Sequence, residues 1–173
     1  LFYKQLNAMD CGPTCIRMIS KHYGKSISLD ILRQISDFSK DGVSLLGIAE
    51  AAENIGLKTN GVTLSYQQLI TDVKLPAILH WGQNHFVVAT PKANNKKITV
   101  ADPAKGIITY TKEEFCRNWI STKDDNGEEV GVALLLEPTN KFYEYKDDPS
   151  SGSGQVGWGV LFSYLSSYKR YFF

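Results

Sequence analysis

Few residues in this chain have types and spacing that suit covalent chemistry. The stretch Gln5-Leu-Asn-Ala-Met-Asp-Cys-Gly-Pro-Thr-Cys15 sets Cys11 between an acid and a Gly-Pro pair, where a loop gives way to a helix. Residues 15–23 read as that helix: Cys15, Ile16, Ile19 and Tyr23 recur at threes and fours, and Gly24 supplies the stop. Pro13 falls in the first turn, where a missing N–H costs nothing. Cys11 is therefore expected at the helix N-terminus, where unpaired amide N–H groups and the positive dipole end favour a thiolate, the form that attacks carbonyls. Gly12 leaves room for a substrate backbone. Gln5 is close enough upstream for its side-chain amide to donate to an oxyanion beside the Cys11 N–H.

A thiol nucleophile needs a base, and the chain has three histidines. His22 ends the first helix and reads as exposed and structural. His80 ends a strand, in a half-buried sheet position. His85 follows Trp81-Gly-Gln-Asn and opens a strand, so its imidazole should stand at a sheet end beside a loop. Asp102 closes the next strand. A hairpin centred between Ala93 and Asn94 would set His85 opposite Asp102, with Cβ atoms about 4.5–5.5 Å apart. A turn centred on Asn94-Asn95 would make the pair diagonal but still near. Either register suits a base held by an acid, with its other nitrogen free for a thiol.

These residues need elements to carry them. Ser28 can cap a helix over residues 29–35, Asp41-Gly42 makes a turn, and Ser44 can cap a third helix over 45–55 that Gly56 closes. Residues 62–64 read as a strand and Ser65 starts a short helix through Ile70. The second half changes to β-branched runs at 76–80, 86–90, 98–101 and 107–110. Thr111-Lys-Glu-Glu114 then forms a capping box for a helix carrying Phe115 and Trp119, and 131–137 is a last strand. Helices first and sheet second describe an α+β domain, N-terminal helices packed on a C-terminal antiparallel sheet.

At 173 residues with 43% hydrophobic content, the chain suffices for one ordinary core. A net charge of +1 gives no electrostatic case for nucleic acid. Three cysteines make no disulfide framework, and the odd count fits a reducing compartment. Cys15 reads as core and Cys116 as structural. Cys11, Cys15 and His22 lack any CxxC or HxxxH spacing, so no metal is expected. No GxxxxGK[ST] is present to bind a nucleotide. No signal peptide is visible, and the start at Leu1 suggests a fragment. The expected division is a domain over 1–140, a linker over 141–155 rich in Asp, Ser and Gly, and an aromatic segment over 156–173. With Lys169-Arg170 near its end, that last segment reads as an interfacial helix at the entry to a membrane domain, against the alternative of a helix packed back on the domain.

A Gln, five residues, then Asp-Cys-Gly-Pro-x-Cys opening a helix resembles the peptidase C39 family. These are papain-like cysteine peptidase domains at the N-terminus of bacterial peptidase-containing ABC transporters, which export bacteriocins, lantibiotics and related peptides. The family's His lies in a similar stretch, after a Trp and before an apolar strand, and its acid in an Asp-Pro pair like Asp102-Pro103. The resemblance implies Cys11 as nucleophile, His85 as general base and acid, Asp102 as the group orienting it, and Gln5 with the Cys11 N–H as oxyanion hole. It implies removal of the leader from a precursor peptide after Gly-Gly, Gly-Ala or Gly-Ser, on the cytoplasmic face of the bacterial membrane. No cofactor is implied for this stretch, and ATP belongs to a nucleotide-binding domain outside it. The implied partners are an amphipathic leader helix and the transporter's own membrane and nucleotide-binding domains, in a homodimeric parent, with no nucleic acid. The small Ala49 and Ala52 of the third helix offer a groove for the leader, and Trp81 one wall of a narrow channel. Two other readings compete. A domain that docks cargo without cutting it is disfavoured by the retained Cys11, and a free-standing papain-like thiol hydrolase by the aromatic tail.

Overall fold

The computed structural model describes residues 2–36, 44–82 and 84–146. The turn expected at Asp41-Gly42, residues 147–155 of the linker and the aromatic segment 156–173 lie outside the described residues. The first helix, α1 (Cys11–His22), begins at Cys11 itself. A single 3-10 turn, Ala8–Asp10, feeds into it; Asn7 caps that turn, and the Asp10 carboxylate accepts the Asn7 N–H in return. Tyr23 ends α1 and donates its hydroxyl to the Leu136 carbonyl at 3.1 Å. Gly24 takes the positive φ of +87° that a C′ stop requires. α2 (Leu29–Ile35) and α3 (Leu45–Asn54) are capped by Ser28 and Ser44, the serines singled out from the sequence.

Among the described residues seven strands make one sheet: β1 (Leu57–Leu64), β2 (Ala77–Trp81), β3 (His85–Ala93), β4 (Lys97–Asp102), β5 (Gly106–Thr111), β6 (Ile120–Lys123) and β7 (Glu129–Pro138). Their order is β1-β7-β2-β3-β4-β5, with β6 also on β7, and the paired strands run antiparallel. The strand pleat separates two cores. Phe86 and Val88 of β3 join Ile78, Ala101, Leu134 and Leu136 beneath α1, α2 and α3. The alternate residues Val87 and Ala89 join Ile98, Val100 and Ala133 on the other face, covered by Tyr66 and Leu69 of α4 (Tyr66–Thr71) and by Phe115 and Trp119 of α5 (Lys112–Trp119). The α+β architecture is as expected from sequence, but helices cover both faces of the sheet.

Two expectations are corrected here. Ala49 and Ala52 are 1% and 0% exposed within the first core, so the small-residue face of α3 is filled by the sheet and α1 and offers no open groove. Trp81 is 5% exposed and packs against Tyr110 and Phe115, so it lies within the second core and walls no channel. The stretch expected as a linker opens with packed residues. α6 (Asn140–Glu144) carries the fully buried Phe142, Thr139 donates its N–H and hydroxyl to the Gly56 carbonyl, and Lys25 donates to the Phe142 and Tyr143 carbonyls.

Candidate active site

The site forms where the N-terminus of α1 meets one end of the sheet. Cys11 opens α1 and is 5% exposed, and most of the helix behind it is buried. A helix start fixed by packing holds its first residue rigidly. The loop before it is fixed as well. Asp10 is buried, and both its oxygens are held by Arg33 of α2, Nε to Oδ1 at 2.9 Å and a terminal guanidinium nitrogen to Oδ2 at 2.7 Å. These hydrogen bonds, first of all, hold the Asp10 carboxyl below its usual range, against the opposing effect of burial. Further upstream, Tyr3 lies under the Arg17 guanidinium at 4.1 Å, and the Gln5 N–H donates to the Pro103 carbonyl at 2.9 Å.

His85 opens β3 and Asp102 closes β4. In the β3–β4 ladder Val88 faces Ala101 and Ala89 faces Val100, with an irregularity between Ala89 and Ala93. Beside the turn Ala93 faces Ile98 and the Asn94 N–H donates to the Lys97 carbonyl, so the turn is centred on Asn95-Lys96, beyond either centre expected. The irregularity resets the register at the site, where His85 and Asp102 are diagonal neighbours rather than an opposed pair. The imidazole reaches across the diagonal: His85 Nε2 lies 2.8 Å from Asp102 Oδ1. Asp102 is 1% exposed and its Oδ1 also accepts the Ala104 N–H at 2.8 Å, which fixes the carboxylate plane. Trp81 lies opposite His85 on β2.

Cys11 also acts on the imidazole. Burial alone pulls the His85 pKa down, yet hydrogen bonds with Cys11 and Asp102 and the attraction of both outweigh it, so the pKa lies above the ordinary histidine value. An imidazole with raised proton affinity beside a cysteine suits a base that serves a sulfur nucleophile. Gln5 joins this group through its backbone tie to Pro103, the residue after Asp102. The structure thus gathers Cys11, His85 and Asp102, with Gln5 anchored to the loop that bears the acid.

The remaining candidates fall elsewhere. Cys15 is fully buried, its thiol donates to the Phe86 carbonyl at 3.4 Å, and desolvation pushes its pKa well up, so it is inert. Cys116 is partly exposed on α5, and burial raises its pKa too. His22 is exposed, and His80 is half-buried against the Phe86 ring. Among the described residues no cluster of His, Cys, Asp or Glu is placed to hold a metal ion, and no helix is long and apolar enough to cross a membrane. Arg33 escaped the sequence reading, since a cation 23 residues from Asp10 carries no spacing signal. So did the open depression of about 540 Å³ beside the nucleophile loop, lined by Asn7, Ala8, Met9, Asp10 and Arg33. Met9, a large apolar residue exposed in that loop, was its visible trace.

Comparison with known proteins agrees with this geometry. Among curated relatives, the colicin V secretion/processing ATP-binding protein CvaB of Escherichia coli is 36% identical over 138 residues, covering 80% of this chain. The Lactococcin-G-processing and transport ATP-binding protein LagD of Lactococcus lactis subsp. lactis is 36% identical over 149 residues, covering 82% of this chain. The chain spans only 18% and 19% of those two proteins. Among solved structures, a double glycine motif protease from an AMS/PCAT transporter, in complex with a leader peptide, superposes with a TM-score of 0.69. It is 31% identical over 80% of this chain and 91% of its own. The peptidase domain of Streptococcus ComA, a bifunctional ABC transporter of a quorum-sensing pathway, gives a TM-score of 0.64 at 30% identity, over 79% of this chain and 97% of its own. Both neighbours share the papain-like arrangement of N-terminal helices and antiparallel sheet. The sequence pattern of the Peptidase C39 family matches residues 2–123, the stretch that carries Gln5, Cys11, His85 and Asp102, and the chain belongs to that family of cysteine peptidases.

Proposed function

We propose that this domain removes the leader from a precursor peptide by cutting after a double-glycine-type site, and that in its parent protein the cut is coupled to ATP-driven export of the peptide. The observation that carries the reading is the His85 imidazole, its Nε2 2.8 Å from a buried Asp102 carboxylate and its proton affinity raised by the neighbouring Cys11 that opens α1. In this mechanism His85 draws the thiol proton, and the Cys11 sulfur attacks the carbonyl carbon of the second glycine. The oxyanion is held by the Gln5 side-chain amide and the Cys11 N–H. The imidazolium then protonates the leaving amine. Water activated by the same imidazole releases the leader from the thioester, while Asp102 keeps the ring oriented throughout.

The glycine preference follows from access. The Cys11 thiol is nearly enclosed and His85 is half-buried, so a chain bearing large side chains at the scissile bond cannot bring its carbonyl to the sulfur. Gly-Gly, Gly-Ala and Gly-Ser sites meet that limit. The leader complex of the similar protease supports a leader peptide as partner, which on this reading binds as an amphipathic helix. The curated relatives are named for secretion, processing and ATP binding, which supports a parent with membrane and nucleotide-binding domains. A homodimeric parent, with this domain on the cytoplasmic face of the bacterial membrane, completes the reading. The test is incubation of a synthetic amphipathic leader peptide carrying an internal Gly-Gly with wild type and Cys11→Ala, products read by mass spectrometry. Cleavage after the second glycine by wild type alone is expected. Binding by both proteins with cleavage by neither would replace this reading with cargo docking.

A further inference from the structure

We propose that Arg33 is a positioning residue for the nucleophile: its fork on Asp10 fixes the residue before Cys11 and cancels a negative charge that would otherwise oppose the thiolate. The inference rests on the reading of Cys11 as nucleophile. Asp10 cannot be an arbitrary neighbour, because its carboxylate accepts the Asn7 N–H at 3.1 Å and so closes the 3-10 turn that delivers the chain into α1. A buried carboxylate is thus carried by the residue that immediately precedes Cys11 in the chain. At short range through protein, such a charge lowers thiolate population substantially unless it is paired. Arg33 pairs it with both donors of a planar fork, a geometry that lysine cannot copy. The guanidinium is itself held by Asp30 at 2.9 Å, on a helix anchored by the buried Leu29, Ile31 and Leu32.

Asp10, which the ion pair holds, lies on the stretch that joins Gln5 to Cys11. Movement of Asp10 would change the distance between the oxyanion donor and the sulfur. Among the described residues His85 from β3, itself bonded to Asp102 of β4, and Cys15 one turn along α1 interact with Cys11, and the Asp10–Arg33–Asp30 group begins at the residue before it in the chain. Asp10 and Arg33 stand outside the proposed proton-transfer path. Substituting them therefore changes the charge near the sulfur without removing a proposed catalytic group.

The experiment uses the whole chain and two readouts. One is kcat and KM for a fluorogenic leader peptide with a Gly-Gly site, across the pH range where thiols and imidazoles titrate. The other is the pH dependence of Cys11 alkylation by iodoacetamide, assigned by peptide mapping. Arg33→Gln is expected to lower kcat about tenfold at neutral pH with little change in KM, and to move the acid limb and the alkylation profile about one unit to higher pH. Asp10→Asn is expected to move both in the opposite direction. The double variant Asp10→Asn/Arg33→Gln is expected to return them near wild type, since no charge is left and the introduced amide still offers an oxygen to the turn. Arg33→Lys should restore the pH profile while leaving kcat reduced.

A purely structural ion pair predicts another pattern, in which activity falls in every variant and the alkylation profile stays where it was. That result overturns the proposal, as does a double variant displaced as far as Arg33→Gln. If Arg33→Gln does not fold, the opposite-signed shift of Asp10→Asn decides the matter alone. Should the alkylation profiles shift as expected while wild type cuts no peptide, the peptidase reading fails and the charge relation between Arg33, Asp10 and Cys11 stands.

Discussion

Replacing Asp102 by Ala isolates the claim that a carboxylate orients and charges His85. The bond at stake runs from His85 Nε2 to Asp102 Oδ1 at 2.8 Å, between a half-buried ring and a carboxylate 1% exposed. A hydrogen bond involving a charged group contributes about 1.5–3 kcal/mol, and that energy acts on the imidazolium needed for attack. The expected loss in kcat/KM is therefore about 10- to 150-fold, carried mostly by kcat. Asp102→Asn should lose less, because its carbonyl can still accept from Nε2–H and from the Ala104 N–H. The sign of the pH effect is fixed too. Burial, the largest single influence, pulls His85 down, and Cys11 and Asp102 together raise it above the ordinary value. Removing the acid lets burial prevail, so the alkaline limb of the rate profile should move to lower pH in both variants. Initial rates on a Gly-Gly leader peptide, measured across the profile, check both statements. Asp102→Ala within about twofold of wild type and with an unmoved alkaline limb would refute the orienting role.

Gly56→Ala should be severely destabilising. Its φ is +89°, and an added Cβ would lie 2.3 Å from the Phe142 nitrogen and 2.6 Å from the Lys141 carbonyl carbon, backbone that cannot yield cheaply. A loss of about 3 kcal/mol or more is expected in urea unfolding, and a loss below about 0.5 kcal/mol would show that α6 is not docked there. Cys15→Ala should keep peptidase activity within about twofold and cost about 1 kcal/mol, since it removes only a buried thiol bonded to the Phe86 carbonyl; abolished cleavage in a folded variant would contradict the inert assignment. The raised His85 pKa also has a stability consequence. Its contribution is complete below the unfolded value of about 6.5 and is lost as pH rises through the folded one. The stability difference between wild type and His85→Gln, from denaturant titrations, should therefore shrink from acid to alkaline pH, and a growing difference would refute the direction.

Much of the site was legible because its chemistry is local. Gln5, Asp10, Cys11, Gly12 and Pro13 carry a loop, a cap and a helix start in one short stretch, and the structure begins α1 at Cys11. The hairpin joining His85 to Asp102 was legible to within one register step. The turn lies at Asn95-Lys96, beyond both centres considered, and the irregularity between Ala89 and Ala93, which pattern alone does not show, brings the pair back to a diagonal. β1 was seen only at its end, because this edge strand buries Leu57 alone and runs through Lys58-Thr59-Asn60-Gly61 with no apolar alternation. The α3 alanines were misplaced for a physical reason: small residues let a neighbour lie close, and sequence cannot say whether that neighbour is a ligand or the protein's own α1 and sheet. Arg33, packed onto Asp10 through tertiary structure, left no periodic trace at all.

The central claim, a Cys11 nucleophile activated by His85 for a glycine carbonyl, is tested most directly with a leader peptide ending in a glycine chloromethyl ketone. Peptide mapping by mass spectrometry should find one adduct, on Cys11, formed rapidly by wild type and very slowly by His85→Ala. Labelling of Cys116 instead, or labelling of Cys11 at the same rate without His85, would contradict the account.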